Sequence, residues 1–165
     1  MPPTVLERLK QRSFDNPYQE AILSVLVAAD QINRVLESRC EAHGITAAQY
    51  NVLRILRGVH PAGHPRSEII ARMIHVAPDV TRLIDRLERL ELAMRGKSES
   101  DGRLSLTFIT PKGLALLDLM QNDIEHVNRT IAKHLTEAEA HQLATLAEKA
   151  CSRKRHHRPQ PDLLP

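Results

Sequence analysis

The chain has few aromatic residues and lacks any long apolar run. Phe, Trp and Tyr together make up 2% of its 165 residues, and Trp is absent. A core must therefore be built from aliphatic side chains, which suits packed helices, and an apolar fraction of 42% is sufficient for one. Because no apolar run approaches the ~20 residues that span a bilayer, we expect no transmembrane segment.

Cysteine is also scarce. Cys40 and Cys151 lie far apart in the sequence and form no C-x-x-C pair, which fits a reducing compartment. Residues 1–13 carry charges but no apolar stretch of the kind found in a signal peptide, so secretion is not expected. These features predict a cytoplasmic protein.

Charge of one sign is concentrated only near the C-terminus. The net charge is +3, and the segment Lys149–Arg158 holds five Lys or Arg residues and no acid. One interpretation is a solvated tail, and the other is a nonspecific contact with phosphates.

The first long element is a predicted helix from Pro17 to about His43, with Gly44 as its stop. Its apolar residues follow a helical period, and a second apolar set widens the stripe. One layer of neighbours cannot cover so broad a face, so the helix is predicted to meet another chain. The first set is Ile22, Val25, Leu26, Ala29, Ile32, Val35 and Leu36, and the second is Ala21, Leu23 and Val27.

Shorter helices follow. Thr46 and Gln49 form a capping-box pattern ahead of a helix that ends near Gly58. Proline and glycine predict a loop at 60–65, and a short helix is predicted from about Ser67 to Met73. Pro78 is well placed as the first residue of the next helix. The apolar side of that helix holds Val80, Leu83, Ile84, Leu87 and Leu90.

The period then changes to that of a strand. Apolar residues alternate with polar ones before Ile109, which predicts a β-hairpin from Ala93 with its tip at 98–102. Thr110 and Pro111 supply an N-cap and a first-position proline for a long helix. Its heptad-like seam consists of Leu117, Met120, Ile124, Val127 and Ile131.

A last helix is predicted to begin at a second capping box, Thr136 with Glu139. The three prolines of residues 158–165 favour disorder.

Two short helices followed by a hairpin are the order of a winged helix-turn-helix. On the second short helix, the side opposite the apolar one holds Asp79, Arg82, Arg86 and Arg89. The arginines step by four and three, so they line one face, as a helix that reads DNA requires. The other interpretation is a solvated helix with Arg82–Asp85 and Asp85–Arg89 pairs.

Several segments, spread over roughly residues 20–150, resemble the MarR family of bacterial regulators. They include 45–53, 67–71, 80–88 and I-T-P-K-G at 109–113. The most specific is D-x-R at Asp101 and Arg103, followed at the expected spacing by T-x-x-G. The resemblance implies that this wing arginine enters the minor groove and that the aspartate orients it.

The resemblance implies a mainly α fold with a small β-hairpin. In this arrangement 45–110 is the winged helix-turn-helix domain, and 17–44 with 111–153 is a helical dimerisation framework. Residues 1–16 are expected to be a flexible arm and 154–165 a disordered tail.

The function implied is that of a homodimeric transcriptional regulator, more commonly a repressor, that binds pseudo-palindromic double-stranded DNA. The predicted DNA-binding residues are Arg66, Ser67, Asp79, Thr81, Arg82, Arg86, Arg95, Asp101, Arg103 and Lys112. The resemblance also implies a small-molecule effector pocket, for which His43, Tyr50 and Arg54 are candidates.

Two positions depart from the family pattern. Glu91 stands where glycine usually enters the wing, so the turn from Leu90 to Leu92 must avoid positive φ or accept strain. Ala77 stands where serine often caps the recognition helix, at a cost of about 1 kcal/mol.

Metal and redox sensing are alternatives. Two pairs have the spacing of metal ligands: His60 with His64, and Cys40 with His43. Prolines and a glycine around the first pair prevent the helix that would align its side chains. In the second pair, Cys40 continues the apolar stripe of the first helix. No metal or cofactor is therefore predicted. Nothing in the sequence clearly stabilises a thiolate at Cys40 or Cys151.

Two further function classes are disfavoured. The sequence has no nucleophile elbow, phosphate loop or paired carboxylates, so an enzyme is not expected. A winged-helix module for protein–protein contacts, without DNA binding, would have an apolar recognition face and a neutral wing tip. Arg82, Arg86 and Arg103 argue against it.

Overall fold

The computed structural model describes residues 5–75, 79–97 and 104–151. The chain divides into two compact units, residues 1–127 and 128–165. The elements of the described ranges, in chain order, are α1 Val5–Leu9, α2 Pro17–Glu41, α3 Ala47–Arg57, α4 Arg66–Arg72, α5 Val80–Arg89, β1 Ala93–Lys97, β2 Ser105–Ile109, α6 Pro111–Leu119, α7 Gln121–Ala132 and α8 Glu137–Cys151.

Local signals explain where α2 begins and ends. The Asn16 side chain accepts hydrogen bonds from the backbone N–H groups of Tyr18 and Gln19, both at 3.0 Å, and so caps the helix. Beyond the end of α2, Gly44 takes a φ of +74°, a conformation that glycine adopts without strain. The predicted helix and its stop are confirmed.

Both predicted capping boxes are present. At the start of α3, the Gln49 N–H donates to Thr46 Oγ1 at 3.2 Å and the Thr46 N–H donates to Gln49 Oε1 at 2.9 Å. At the start of α8, in the second unit, the corresponding distances between Glu139 and Thr136 are 3.3 and 2.8 Å. Each box satisfies backbone donors that the first helical turn leaves unpaired.

The core of the first unit is aliphatic, as the composition predicts, and α3 is its largest contributor. Val52, Leu53 and Leu56 of α3 are completely buried. Neighbouring elements add the buried side chains Cys40, Ile69, Val80, Ile84, Leu87, Leu92, Ile109, Leu117 and Met120. This packing holds α4, α5 and the hairpin against α3.

The two strands of the predicted hairpin are confirmed, and its predicted tip at 98–102 lies outside the described residues. β1 and β2 pair antiparallel, with Ala93 opposite Ile109 and Lys97 opposite Ser105. His64 adds a backbone bridge on the other side of β2: its N–H donates to the Thr107 carbonyl at 3.0 Å, and its carbonyl accepts the reverse bond at 2.8 Å. Sequence reasoning assigned 60–65 to a loop and missed this bridge.

The start of α5 differs from the prediction. The helix begins at Val80, and the Asp79 side chain caps it by accepting a hydrogen bond from the Arg82 N–H at 3.1 Å. Pro78, predicted as the first helical residue, and Ala77, which stands where the family often has a capping serine, lie outside the described residues.

The single long helix predicted after Thr110 is divided into α6 and α7. Met120 separates them, with a ψ of −4° and a completely buried side chain. Its carbonyl accepts bonds from the Asp123 N–H at 3.0 Å and from the Ile124 N–H at 3.1 Å, so a tighter i+3 bond accompanies the α-helical one. Periodicity could not reveal this break, because Met120 fits the apolar seam.

Part of the expected N-terminal arm is helical. Residues Val5–Leu9 form α1, and Arg8 pairs with Asp30 of α2 at 2.9 Å. None of the helices in the described ranges combines the length and apolar character that a membrane span needs.

Candidate nucleic-acid interface

The inner side of α5 holds this helix against the core. Val80, Ile84 and Leu87 are buried and Leu83 is half-buried, as predicted. Leu90 differs: it is the C-cap and is 39% exposed. The fixed apolar side determines which residues of α5 face outward.

Three arginines lie on the outward side of α5, and all are exposed. Arg82 Nε is 3.0 Å from Asp79 Oδ2, yet the Arg82 side chain is 84% exposed. Arg89 Nε donates weakly to the Asp85 carbonyl of its own helix at 3.4 Å. Within the described ranges, the Arg86 side chain has no hydrogen-bond or ion-pair partner. Long donors are therefore presented to solvent along one face.

The acids of α5 turn toward the wing instead of pairing with these arginines. Arg95 of β1 binds Asp85 through Nη2 and Oδ1 at 2.6 Å. Its backbone N–H donates to Glu88 Oε1 at 2.8 Å, and its Nη1 binds Glu88 Oε2. The Arg82–Asp85 and Asp85–Arg89 side-chain pairs of the alternative interpretation are not formed. Arg95 instead connects β1 to the recognition helix.

A hydrogen bond joins the two helices of the helix-turn-helix. Arg66 Nη1 donates to Thr81 Oγ1 at 3.2 Å. Both residues are exposed, as is Ser67 in the first turn of α4. Three of the predicted DNA-binding residues thus lie at the junction of α4 with α5.

The turn into the wing accepts the strain that the sequence suggested. Glu91 has a φ of +61°, unusual for a residue other than glycine. The Thr110 hydroxyl donates to the Glu91 carbonyl at 2.7 Å, and the Thr110 N–H donates to the Leu92 carbonyl at 3.1 Å. Lys112 Nζ is 2.9 Å from Glu91 Oε2, and this hydrogen bond, with the charge of Lys112, lowers the pKa of Glu91.

The T-x-x-G motif has a steric explanation. Thr110 caps α6 by accepting a hydrogen bond from the Gly113 N–H at 3.1 Å. A Cβ atom on Gly113 would lie 2.3 Å from the Leu92 carbonyl oxygen and 2.8 Å from Ile109 Cγ1. Only glycine therefore allows α6 to approach the base of the wing this closely. Asp101 and Arg103, the D-x-R pair, lie outside the described residues.

Of the three candidate effector residues, Tyr50 and Arg54 are in contact, whereas His43 pairs with Asp123. Tyr50 lines a cavity of about 480 Å³, whereas His43 and Arg54 do not. Arg54 Nη1 donates to the Tyr50 hydroxyl at 2.9 Å, and its guanidinium is 5.9 Å from the ring centroid. His43 Nε2 is 2.9 Å from Asp123 Oδ2, and this bond lowers the pKa of Asp123. Residues 73–75, which also line the cavity, were missed because they follow α4 without a recognisable pattern.

The chemistry of Cys40 follows from its burial. Burial, followed by the negative charges of Glu37 and Asp123, raises the pKa of the Cys40 thiol to about 12. A thiolate is therefore disfavoured there, whereas Cys151 is exposed. Among the described residues, no three His, Cys, Asp or Glu side chains are grouped so as to hold a metal ion.

Comparison with known proteins gives the family. The chain is 34% identical to a MarR transcription factor from Planctomyces limnophilus of known crystal structure, with 83% of this chain and 99% of that one covered and a TM-score of 0.63. The chain belongs to the MarR family of transcriptional regulators. The fold inferred from sequence, mainly α with a winged helix, is confirmed.

Curated relatives agree with this assignment. The MarR-family chain is 30% identical to the HTH-type transcriptional regulator MhqR of Bacillus subtilis over 87 residues, 53% of this chain and 59% of that protein. It is 29% identical to the homoprotocatechuate degradative operon repressor of Escherichia coli over 128 residues, 78% of this chain and 83% of that repressor. These relatives are regulators, not enzymes. No protein-family model matches the chain.

More distant structures share the fold. Bordetella bronchiseptica BpsR, whose DNA binding is regulated by 6-hydroxynicotinic acid, is 22% identical with a TM-score of 0.72, and 86% of this chain and all of that one are covered. Staphylococcus aureus MepR in complex with DNA is 21% identical with a TM-score of 0.69, covering 84% and 97%.

Proposed function

We propose that this MarR-family chain is a cytoplasmic, sequence-specific regulator that binds double-stranded DNA as a homodimer. The observation that carries the proposal is the outward face of α5, where Arg82, Arg86 and Arg89 are exposed above a buried apolar side. Long cationic donors on a rigid helix suit base edges and phosphates in the major groove.

The site residues divide into two groups. Arg82, Arg86 and Thr81 are proposed to face the major groove, while Arg66 and Ser67 contact phosphates at the junction of α4 and α5. The second group acts at or near the wing. Arg103 is proposed to enter the minor groove, with Asp101 orienting it. Arg95 binds the acids of α5, Lys112 binds Glu91, and Asp79 caps α5 and pairs with Arg82.

The dimer is proposed to form through the framework 17–44 and 111–153. On α2, Tyr18 is 81% exposed and Ile22 and Leu26 are each 60% exposed. A row of large apolar side chains on one helix favours burial against a second chain. A two-fold dimer reads a pseudo-palindrome with half-site centres about 10 bp apart.

Repression with release by a small molecule is the proposed regulation. The E. coli relative is a repressor of a degradative operon, and BpsR, of the same fold, responds to 6-hydroxynicotinic acid. Tyr50 lines a cavity whose volume suits a small organic molecule.

The test is selection of genomic DNA fragments by the purified protein, followed by affinity measurements on the selected site. Arg86→Ala is expected to cost about 1–3 kcal/mol of binding and to relax preference at one base pair. The matched control is Arg57→Ala, which removes an exposed arginine that pairs with Asp118 at 3.1 Å.

Two results would contradict the proposal. Failure to enrich any DNA would favour the protein–protein module instead. A monomer mass by light scattering at high micromolar concentration would contradict the proposed homodimer.

A further inference from the structure

The cavity beside Tyr50 has walls that are mainly apolar. It lies between α2, α3 and the residues that follow α4, all within the first unit, and its apolar lining is Leu36, Ala47, Ala48, Met73, Ile74 and the Tyr50 ring. Its volume of about 480 Å³ is within the range of sites for drug-sized molecules. A ligand there would gain most of its binding free energy from burial of apolar surface.

The polar atoms of the wall are few, and several are already in use. Asn51 Oδ1 accepts a hydrogen bond from the Ile74 N–H at 3.0 Å. His75 Nε2 is 3.5 Å from Asn33 Oδ1. Glu37 Oε2 accepts a bond from the Ala47 N–H at 2.9 Å, and its other carboxylate oxygen has no hydrogen-bond partner among the described residues. That oxygen is the acceptor in the wall that a ligand could use.

The electrostatic character of the cavity is set by Glu37. The described lining includes this carboxylate but no lysine or arginine. The charge of Glu37 acts on its surroundings, since it contributes to the raised pKa of nearby Cys40. An anionic ligand would therefore lose its hydration and meet a like charge without a lysine or arginine in the lining to compensate.

We infer that the effector of this regulator is an uncharged or cationic, mainly apolar small molecule that donates a hydrogen bond to Glu37, and not a carboxylate. This inference rests on the proposed function, because it specifies the ligand of the proposed effector site. It separates this chain from a regulator that responds to an aromatic acid, such as BpsR.

The cavity is lined by residues that lie between the two helices of the helix-turn-helix in the sequence. Met73, Ile74 and His75 lie between α4 and α5, and Asp79, the cap of α5, is only four residues beyond His75. A ligand that contacts these residues differently in two conformations shifts the balance between them. Occupancy is therefore expected to change the placement of α5.

The experiment compares three probes of similar shape with the full chain. 2-Naphthylmethylamine is cationic, 2-naphthylmethanol is neutral and 2-naphthoate is anionic at neutral pH. Isothermal titration and thermal unfolding measure binding of each. The amine and the alcohol are expected to bind at least about tenfold more tightly than the naphthoate, the factor that one like-charge contact of moderate strength produces.

Variants assign the selectivity to Glu37. Glu37→Gln keeps the shape of the side chain and an oxygen for the Ala47 N–H. It is expected to weaken binding of the amine about tenfold, to strengthen binding of the naphthoate and to leave binding of the alcohol unchanged. Glu41→Gln, on an exposed position of the same helix outside the cavity, is the matched control and should change none of them. Ala48→Leu, which fills the cavity, should weaken all three probes.

Two results would overturn the inference: naphthoate that binds as tightly as the amine, and the absence of binding by every probe at millimolar concentration. Affinity of the probe-free protein for its selected DNA is measured in parallel. Normal DNA binding with a preference for naphthoate would contradict only the ligand assignment. Amine binding without DNA binding would contradict the proposed function, and with it the role of the ligand as an effector, while the ligand preference of the cavity would stand.

Discussion

Arg95 Nη2 lies 2.6 Å from Asp85 Oδ1 and so joins the first strand of the wing to the recognition helix. The pair is partly exposed, with 37% and 45% of the two side chains accessible, so its own contribution to stability is modest. Its value is geometric, because it directs an acid of α5 away from the surface on which Arg82 and Arg86 lie.

A double-mutant cycle with Arg95→Met and Asp85→Asn tests this connection. Because the pair is exposed, we expect a coupling free energy of about 0.2–1 kcal/mol in urea unfolding. Additive effects of the two substitutions would show that the contact is not maintained in solution. In DNA binding, Arg95→Met should change affinity for all sequences alike, since it loosens the wing without removing a base contact.

The wing and recognition helix should respond differently to salt. Arg103→Ala is expected to weaken selected and scrambled DNA similarly and to lower the salt slope by about one unit for each phosphate contact that the substitution removes. Asp101→Ala should have part of this effect, because an arginine that is not oriented loses more rotamer entropy on binding. The measurement is affinity against salt concentration. An unchanged affinity and slope for Arg103→Ala, with the dimer folded, would show that the wing does not contact DNA.

Gly113→Ala should be strongly destabilising. A Cβ atom 2.3 Å from the Leu92 carbonyl oxygen would force backbone atoms apart, at a cost of about 1–3 kcal/mol or more in urea unfolding. Gly58→Ala is the matched control, because its Cβ would be 3.4 Å from the nearest atom, an ordinary contact. Equal stability of the two variants would refute the close approach of α6 to Leu92.

Glu91→Gly should raise the midpoint of thermal unfolding by a few degrees. Glycine removes the strain of a φ of +61°. It also removes the ion pair with Lys112, but that pair is largely exposed. Glu91→Ala is the control, since it removes the same ion pair and keeps the strain. A midpoint for Glu91→Gly no higher than that of Glu91→Ala would argue against strain in this turn.

The two cysteines should react at very different rates. With the Cys40 pKa raised to about 12, little thiolate forms at pH 8, and burial also blocks reagents. Iodoacetamide in the native state should label Cys151, which is exposed, and spare Cys40, as followed by mass spectrometry. The pKa of Cys40 is higher in the folded state than in the unfolded state. Its contribution to the free energy of unfolding is therefore fully present below about pH 9 and decreases as the pH rises toward 12. Equal labelling of both cysteines in the native protein would contradict this.

Sequence patterns predicted the parts of the fold that depend on local chemistry. The capping boxes at Thr46 and Thr136, the stop at Gly44 and the hairpin all follow from side chains close to the backbone they satisfy. Features that depend on contacts between residues far apart in the sequence could not be predicted. The break at Met120 depends on burial in a core that periodicity does not describe, and the bridge from His64 to Thr107 joins residues 43 positions apart.

The site shows the same division. The arginine face of α5 could be predicted, because it is fixed by helical spacing and an apolar side. The partners of the charged side chains could not, since the Asp85 carboxylate pairs with Arg95 of the wing and Arg89 reaches only the Asp85 backbone carbonyl. The cavity beside Tyr50 is formed partly by residues 73–75, whose role depends on packing against α2 and α3.

The absence of tryptophan gives the chain a simple optical spectrum. Its two tyrosines dominate the near-ultraviolet emission, and they occupy separate places: Tyr18 on the exposed apolar row of α2, and Tyr50 in the cavity wall beside Arg54. Fluorescence of a Tyr18→Phe variant therefore reports on cavity occupancy alone, and that of a Tyr50→Phe variant reports on association along α2. Each of the two proposed binding events can thus be followed without an external label.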